Sequence, residues 1–245
     1  MTMNHSIFNP CKLFDRLLAS VLLPIFLVLL AFLGFASTSQ AAAPVFQAAG
    51  ANVSAGANTA ISPVWPAGHA IGDIALLFVE SKGDQPAVLS TSATFAPVLN
   101  SPMSASNKTR ISVFWARATS AAMPTPTVTG VADHLTGQII TYRGVVSSGD
   151  PWDVTGGSAN SSSNTLLTLG SITTTLADTL IVQTAVRDTD SAAEAFSAQT
   201  NGNLTSITER ADTGTALNKG GGYAVWDGVK ASLWCYRNHH SDGVQ

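Results

Sequence analysis

The sequence has 245 residues and a formal net charge of −3, and only 11% of its residues are charged. Binding to nucleic acid requires a basic surface, so this weakly acidic chain offers no electrostatic basis for it. Few charges together with many Ser and Thr residues are typical of exported β proteins, because the β-branch of Thr favours strands. We therefore expect an exported β protein without a nucleic-acid partner.

Residues 1–41 are predicted to be a signal peptide. Lys12 and Arg16 precede an apolar run, Leu17–Ala36, and small residues follow it. A positive segment, an apolar segment and a small-residue exit are the three parts of a secretory signal, and they place cleavage after Ala41. The alternative is a retained membrane anchor, because about twenty helical residues span the roughly 30 Å of a bilayer core. In both cases we expect the rest of the chain outside the cytoplasm, secreted, at the cell surface or in the periplasm.

The mature chain is predicted to form one domain, residues 42–231. Short apolar or alternating runs separated by Gly, Pro, Asn and Asp are typical of β-sandwiches and barrels. Ten strands are predicted, at Val45–Ala48, Ile74–Ser81, Phe95–Leu99, Ile111–Ala118, Thr125–Thr129, Thr136–Arg143, Leu166–Ile172, Thr179–Arg187, Ser206–Arg210 and Tyr223–Asp227. The continuous apolar runs Ile74–Val79 and Leu180–Val182 indicate central strands buried on both faces. We expect an all-β antiparallel sandwich with jelly-roll or Greek-key-like connections, and at most a short helical segment at Ser191–Gln199.

The segment Ser232–Gln245 is an atypical tail whose composition differs from that of the domain. It contains Cys235, which is the only Cys outside the predicted signal and so has no partner for an internal disulfide. The codons of Trp234 and Cys235 give Gly when they are read one base later, and those of Tyr, Asn, His and Asp give Thr, Ile or Met. Because that pattern is typical of a strand, one hypothesis is that a one-base shift left the final strand of the domain missing or altered. The other is that any tail rich in Tyr, Asn and His gives such a pattern.

Three motifs follow one another along the chain: GDIALLFVES at Gly72–Ser81, ISVFWARAT at Ile111–Thr119 and GQIITYRGVVSSGDPWD at Gly137–Asp153. In this order they resemble a group of largely uncharacterised secreted bacterial modules. Those modules occur in large surface proteins, including ones like those of mannose-sensitive pilus biogenesis, and in phage tail- or fibre-associated proteins. The resemblance implies a secreted β-sandwich module and no particular activity. Such modules continue past the position of Lys230 with a further strand, where this chain departs from them.

Three aromatic residues beside Pro or Gly are candidates for stacking on a ligand. Trp65, Trp152 and Tyr223 are expected in loops, where an exposed ring can stack on a sugar. Trp115 and Trp226 lie in predicted strands and are expected in the core. The predicted partner is a glycan or another surface protein, and the competing interpretation is that the three rings cap the ends of the sandwich.

Nucleophilic hydrolysis requires a Ser or Cys close to a base. Only His69 and His134 lie in the body of the domain, and no Gly-x-Ser-x-Gly motif occurs. We interpret both as solvated loop histidines. The alternative is a Ser/His/Asp triad that uses Asp73 or Asp133.

Acidic residues form two further candidate arrangements. Glu80 and Glu209 lie in predicted strands, and two facing carboxylates are what glycoside hydrolysis requires. Asp188, Asp190 and Glu194 place three oxygen ligands in one loop, but the spacing of a calcium-binding EF-hand is absent. We therefore predict no catalytic, cofactor-binding or metal-binding residues, with these two arrangements as alternatives.

The sequence favours a secreted or cell-surface module that is not an enzyme and that serves structure, adhesion or attachment. A membrane is expected to be contacted only through an uncleaved N-terminal segment. The alternatives are a secreted carbohydrate-active hydrolase, based on Glu80 or Glu209, and a truncated product without a function of its own.

Overall fold

A computed structural model describes residues 42–105, 108–159, 166–193 and 196–230. These residues form strands and no helix, so this part of the chain contains no helical segment that could cross a bilayer. The prediction of an all-β, antiparallel fold is confirmed. The predicted signal peptide and the atypical tail lie outside the described residues, and so does the strand that is expected to be missing or altered at the end of the domain.

The chain contributes its strands to three antiparallel sheets. In chain order the strands are β1 (Val45–Ala49), β2 (Val53–Gly56), β3 (Ile74–Lys82), β4 (Val88–Thr91), β5 (Ala96–Pro97), β6 (Met103–Ala105), β7 (Thr109–Arg117), β8 (Thr127–Thr129), β9 (His134–Arg143), β10 (Leu180–Arg187), β11 (Leu204–Thr215) and β12 (Gly221–Lys230). The main sheet has the order β1-β9-β3-β7-β5, with β2 also paired to β9 and β6 to β7. A three-stranded sheet has the order β10-β12-β11, and β4 pairs with β8.

The main sheet is buried on both faces because side chains alternate along its central strand, β3. Leu77 and Val79 point to one face and join a cluster that includes Val128 of β8. Phe78 points to the other face and joins a cluster that includes Tyr223 of β12. The prediction that Ile74–Val79 is buried on both sides is therefore confirmed. The three-stranded sheet covers β7, β3 and β9, and we call the surface between it and the main sheet the interlayer interface.

The apolar run Leu180–Val182 was predicted to be a central strand, and this prediction is wrong. It begins β10, which lies at the edge of the three-stranded sheet, and its side chains are only partly buried. The central position belongs to β12, whose first eight residues are all buried. An apolar run shows that a segment packs against something, but it does not show how many strands flank it.

The prediction of a strand at Leu166–Ile172 is also wrong, because these residues pair with no strand in the described structure. Leu169 packs against the cluster of Ala185, Ala224 and Trp226 on the outer face of the three-stranded sheet, so this segment covers the sheet without joining it. Three short strands, β2, β4 and β6, were not predicted. The described residues within Ser191–Gln199 form no helix.

Candidate functional site

A buried carboxylate occupies one end of the interlayer interface. The side chain of Glu80, near the end of β3, is completely inaccessible to solvent. Its Oε1 accepts a hydrogen bond of 2.6 Å from the hydroxyl of Thr109. Its Oε2 lies 2.7 Å from Nε2 of His134, whose side chain is also completely buried. Three strands therefore meet at one carboxylate.

The register of the main sheet explains why these three side chains converge. Glu80 is opposite Thr136 on β9 and opposite Ile111 on β7. His134 and Thr109 each lie two residues before these positions, so they are diagonal neighbours of Glu80 on the same face. The polar side chains at the start of β7 and β9 thus meet the polar end of β3.

A glycine of β12 provides the space for the Glu80 carboxylate. A Cβ atom at Gly221 would lie 2.8 Å from Oε1 of Glu80. The turn before it places the carbonyl oxygen of Asn218 3.4 Å from Nδ1 of His134. His134 therefore has an acceptor near each ring nitrogen, an arrangement that suits the doubly protonated imidazolium.

The pKa values at this end depend on burial and on neighbouring charges. Burial alone would lower the pKa of His134, but the hydrogen bond and the negative charge of Glu80 raise it above its ordinary value. Burial lowers the pKa of Lys82, and the charges of Glu80 and Asp133 offset only part of this effect. Glu80 and His134 thus form a charge-assisted pair, while the neighbouring lysine loses its proton more readily than an exposed one.

Hydrogen bonds extend this polar region along the interface. The hydroxyl of Tyr223 lies 3.1 Å from Oδ1 of Asn52 and 3.3 Å from Oε1 of Gln138, and it can donate to either. Asn52 is in turn bonded to the hydroxyl of Thr136, which lies next to Glu80 across the sheet. We call the region of Glu80, His134 and these neighbours the histidine end of the interlayer interface.

The opposite end of the interlayer interface is held by an arginine, and we call it the arginine end. Asp227 of β12 is 2% exposed and accepts two hydrogen bonds from Arg210 of β11, of 2.7 Å from Nε and 2.9 Å from Nη2. The guanidinium carbon lies 4.2 Å from the centre of the Phe46 ring. The arginine is therefore fixed by a bidentate carboxylate and by a cation–π contact.

Two of the three rings predicted to be exposed for ligand stacking are buried, so that prediction of exposure is wrong for them. Trp65 is 7% exposed and packs against Phe95 in the core. Tyr223 is completely buried and stacks on Phe78 across the interlayer interface. Tyr223 was expected in a loop because Gly residues precede it, whereas Gly221 already belongs to β12, so Tyr223 lies inside a sheet.

Trp152 is the third predicted stacking residue, and it is only partly buried. Its ring packs edge-to-face against Trp115 of β7, with 5.5 Å between the ring centres. Arg117, on the same strand face as Trp115, donates to the carbonyl oxygens of Val146 and Gly149 and so holds the loop that carries Trp152. Trp115 was expected in the core but is also partly buried, while Trp226 is in the core as predicted.

The interpretation of His134 as a solvated loop residue is wrong, because it begins β9 and is completely buried. His69 is partly buried, and its Nδ1 lies 2.9 Å from the carbonyl oxygen of Pro66. The acids proposed for a triad have other partners. Asp73 binds the guanidinium of Arg143, and Asp133 binds Lys219.

The alternatives based on acidic residues have different outcomes. Glu80 is bound to His134 inside the interface, whereas Glu209 is exposed and bound to the indole N–H of Trp226, so the two are not arranged as a facing pair. Asp188 forms an ion pair with Lys82, and Glu194 lies outside the described residues. Within the described ranges, no three His, Cys, Asp or Glu side chains are grouped so that they could hold a metal ion.

The pairing of Glu80 with His134 was not predicted, although the sequence contains a signal for it. A carboxylate within a strand that is buried on both faces needs a partner, because burying an isolated charge is very unfavourable. The sequence does not reveal which residue is that partner, since His134 is far from Glu80 along the chain and meets it only through the register of β3 and β9.

Comparisons with known proteins found no match: no known protein family describes the chain, and no similar protein was found among curated proteins or solved structures. What supports a function is therefore the arrangement of this chain's own residues.

Proposed function

We propose that the protein is an exported module that is not an enzyme and that serves structure and adhesion at the cell exterior. The observation that supports it best is that the buried acidic side chains are bound to basic side chains from other segments of the chain. Three such pairs connect strands, Asp73–Arg143, Glu80–His134 and Asp227–Arg210, and in a fourth pair the buried amine of Lys82 contacts the partly exposed Asp188 of the other layer.

These pairs suit a module that must keep its shape outside the cell. The pair of Asp73 and Arg143 holds the turn before β3 against the end of β9 through two hydrogen bonds of 2.8 Å. Burial would raise the pKa of Asp73, but the arginine and the N–H of Ala70 keep it below its ordinary value. The carboxylate therefore stays charged in moderately acidic surroundings, and the strand ends stay connected.

Adhesion is assigned to the surface around Trp152. An indole ring that is partly exposed presents a flat apolar face, which suits a sugar ring, and its support by Trp115 reduces the entropy lost on binding. Arg117 fixes the loop from the side. The partner is a glycan or another surface protein.

Export is supported by the sequence of residues 1–41 and by the resemblance to secreted modules. Expression of the full chain in a bacterium, followed by fractionation and N-terminal sequencing, tests it. We expect a protein outside the cytoplasm that begins after Ala41. Recovery from the cytosol with Met1 still attached would contradict export.

A glycan array tests adhesion with the purified full chain and two variants. We expect Trp152→Ala to weaken binding about fivefold, because a stacked aromatic ring contributes about 1 kcal/mol. Trp152→Phe keeps an aromatic ring and should retain most of the binding. Binding that is unchanged by Trp152→Ala would place the ligand elsewhere. Release of reducing sugar that is lost in Glu80→Gln or Glu209→Gln would instead identify a hydrolase.

A further inference from the structure

Lys82 and Asp188 connect the two sheets directly. Lys82 is the last residue of β3 and is 8% exposed, and Asp188 follows the last residue of β10. The Lys82 amine is in contact with Oδ1 of Asp188, whose side chain is 27% exposed. A second lysine, Lys108, is exposed and lies 3.9 Å from Oδ2. The Lys82 amine therefore faces a carboxyl group of the other sheet in surroundings from which most water is excluded.

Glu80 lies beside this contact. It is two residues before Lys82 on β3, so both side chains leave the strand on the same face. Its charge acts on Lys82, as do those of Asp133 and Asp190, yet burial still lowers the pKa of the Lys82 amine below its ordinary value. The neutral amine, which is the nucleophilic form, is therefore populated more readily here than at an exposed lysine.

We propose that Lys82 and Asp188 form an isopeptide bond that joins the main sheet to the three-stranded sheet. The lone pair of the neutral Nζ attacks Cγ of Asp188 in its carboxylic acid form. The Nζ–Cγ bond forms and one C–O bond breaks, and that oxygen leaves as water with the acid proton and one amine proton. The step needs neither an oxidant nor a reductant.

We assign to Glu80 the transfer of the amine proton to the departing hydroxyl. Its carboxylate is held in place by Thr109 and His134, through bonds of 2.6 and 2.7 Å. Proximity favours the reaction, because the amine and the carboxyl group are already in contact in the folded chain. The cross-link forms only after folding, since the two residues belong to different sheets.

The mass of the purified full chain tests the proposal. We expect it to be lower than the mass of the sequence by one water molecule, after the N-terminus has been determined. Trypsin should fail to cut after Lys82, and a branched peptide should contain both Lys82 and Asp188. Lys82→Arg and Asp188→Ala should each restore the full mass. Asp188→Asn can form the same bond with loss of ammonia, so its mass should be lower than that of its own sequence by one ammonia molecule instead of one water molecule.

Three further variants separate the reaction from folding. Glu80→Gln should fold, as judged by circular dichroism, but remain without the bond, and Glu80→Asp should recover part of the cross-linked product. Lys108→Arg leaves Lys82 intact and should keep the water loss. A folded wild-type chain that has its full mass and is cut after Lys82 would overturn the proposal, even if a variant failed to fold. The measurement does not involve glycan binding, so this inference and the adhesion proposal fail separately.

Discussion

The two ends of the interlayer interface both bury a carboxylate, but they neutralise it differently. At the arginine end, Asp227 is bound by a guanidinium that keeps its charge at all ordinary pH values. At the histidine end, Glu80 is bound by an imidazole that can lose its proton, and a buried lysine with a lowered pKa lies nearby. The arginine end is therefore a permanent connection, whereas the histidine end can transfer protons.

This difference shows that the same kind of buried pair serves two purposes in one interface. The bidentate pair of Asp227 and Arg210 fixes β12 against β11. The set of Glu80, His134 and Lys82 combines a carboxylate with a histidine whose pKa is raised by Glu80 and a lysine whose pKa is lowered by burial. Proton transfer at a carboxylate is also what formation of an isopeptide bond requires, so chemistry is expected at the histidine end only.

The largest loss of stability is expected from removing the carboxylate of the arginine end. Asp227→Ala removes the carboxylate and leaves the positive charge of Arg210 without its partner, which should lower the free energy of unfolding by about 3 kcal/mol. The loss should be the same at pH 6 and pH 8. Urea unfolding followed by tryptophan fluorescence measures it. Lys219→Ala removes an exposed pair with Asp133 and should cause no measurable change, and an equal loss in both variants would contradict the comparison.

A smaller effect that depends on pH is expected at the histidine end. The folded-state pKa of His134 is raised, so its stabilising contribution is fully present below its unfolded pKa of about 6.5 and is lost as pH rises through the folded value. His134→Gln keeps an N–H donor but no positive charge, and should lower the free energy of unfolding by about 2 kcal/mol at pH 6 and by less at pH 9.

The difference between wild type and His134→Gln isolates this contribution from that of other groups. A free Lys82 amine has a lowered pKa and would act in the opposite direction, while Asp133 and Lys219 lie at the surface of the same end. Urea unfolding from pH 6 to pH 9 measures both proteins. A difference that grows with pH would mean that the histidine is neutral in the folded chain.

The smallest loss of stability is expected from filling the space beside Glu80. Gly221→Ala adds a methyl group 2.8 Å from Oε1 of Glu80, which displaces the carboxylate and should lower the free energy of unfolding by about 1–2 kcal/mol. Thermal unfolding measures the loss. Gly202→Ala is the matched control, because nothing lies within 4 Å of a Cβ atom there. An unchanged melting temperature in Gly221→Ala would show that the carboxylate does not need this space.

The strands that were predicted well are those whose own sequence shows how they are buried. The run Ile74–Val79 is apolar throughout, and it forms the central strand of the main sheet. The short edge strands β2 and β6 were missed because neighbouring strands hold them in place and their own composition does not mark them. The apolar residues of Leu166–Ile172 predicted a strand, but the sequence cannot distinguish a strand from a loop that covers a sheet.

The candidate site was less predictable than the fold because it depends on pairing between distant segments. Glu80 was recognised as a carboxylate in an apolar strand, yet the histidine that neutralises it was interpreted as exposed. Tyr223 was expected in a loop because Gly residues precede it, but the sequence does not show whether a glycine such as Gly221 forms a turn or makes room for a buried carboxylate. The sequence holds these residues, and only the strand register brings them together.

The central position of β12 determines when the three-stranded sheet can form. Among the described residues, β10 and β11 have their ladder partner in residues 221–230, which are synthesised after both of them. The interlayer interface and the contact between Lys82 and Asp188 must wait for the same segment. A nascent chain thus keeps the three-stranded sheet incomplete until β12 has been synthesised.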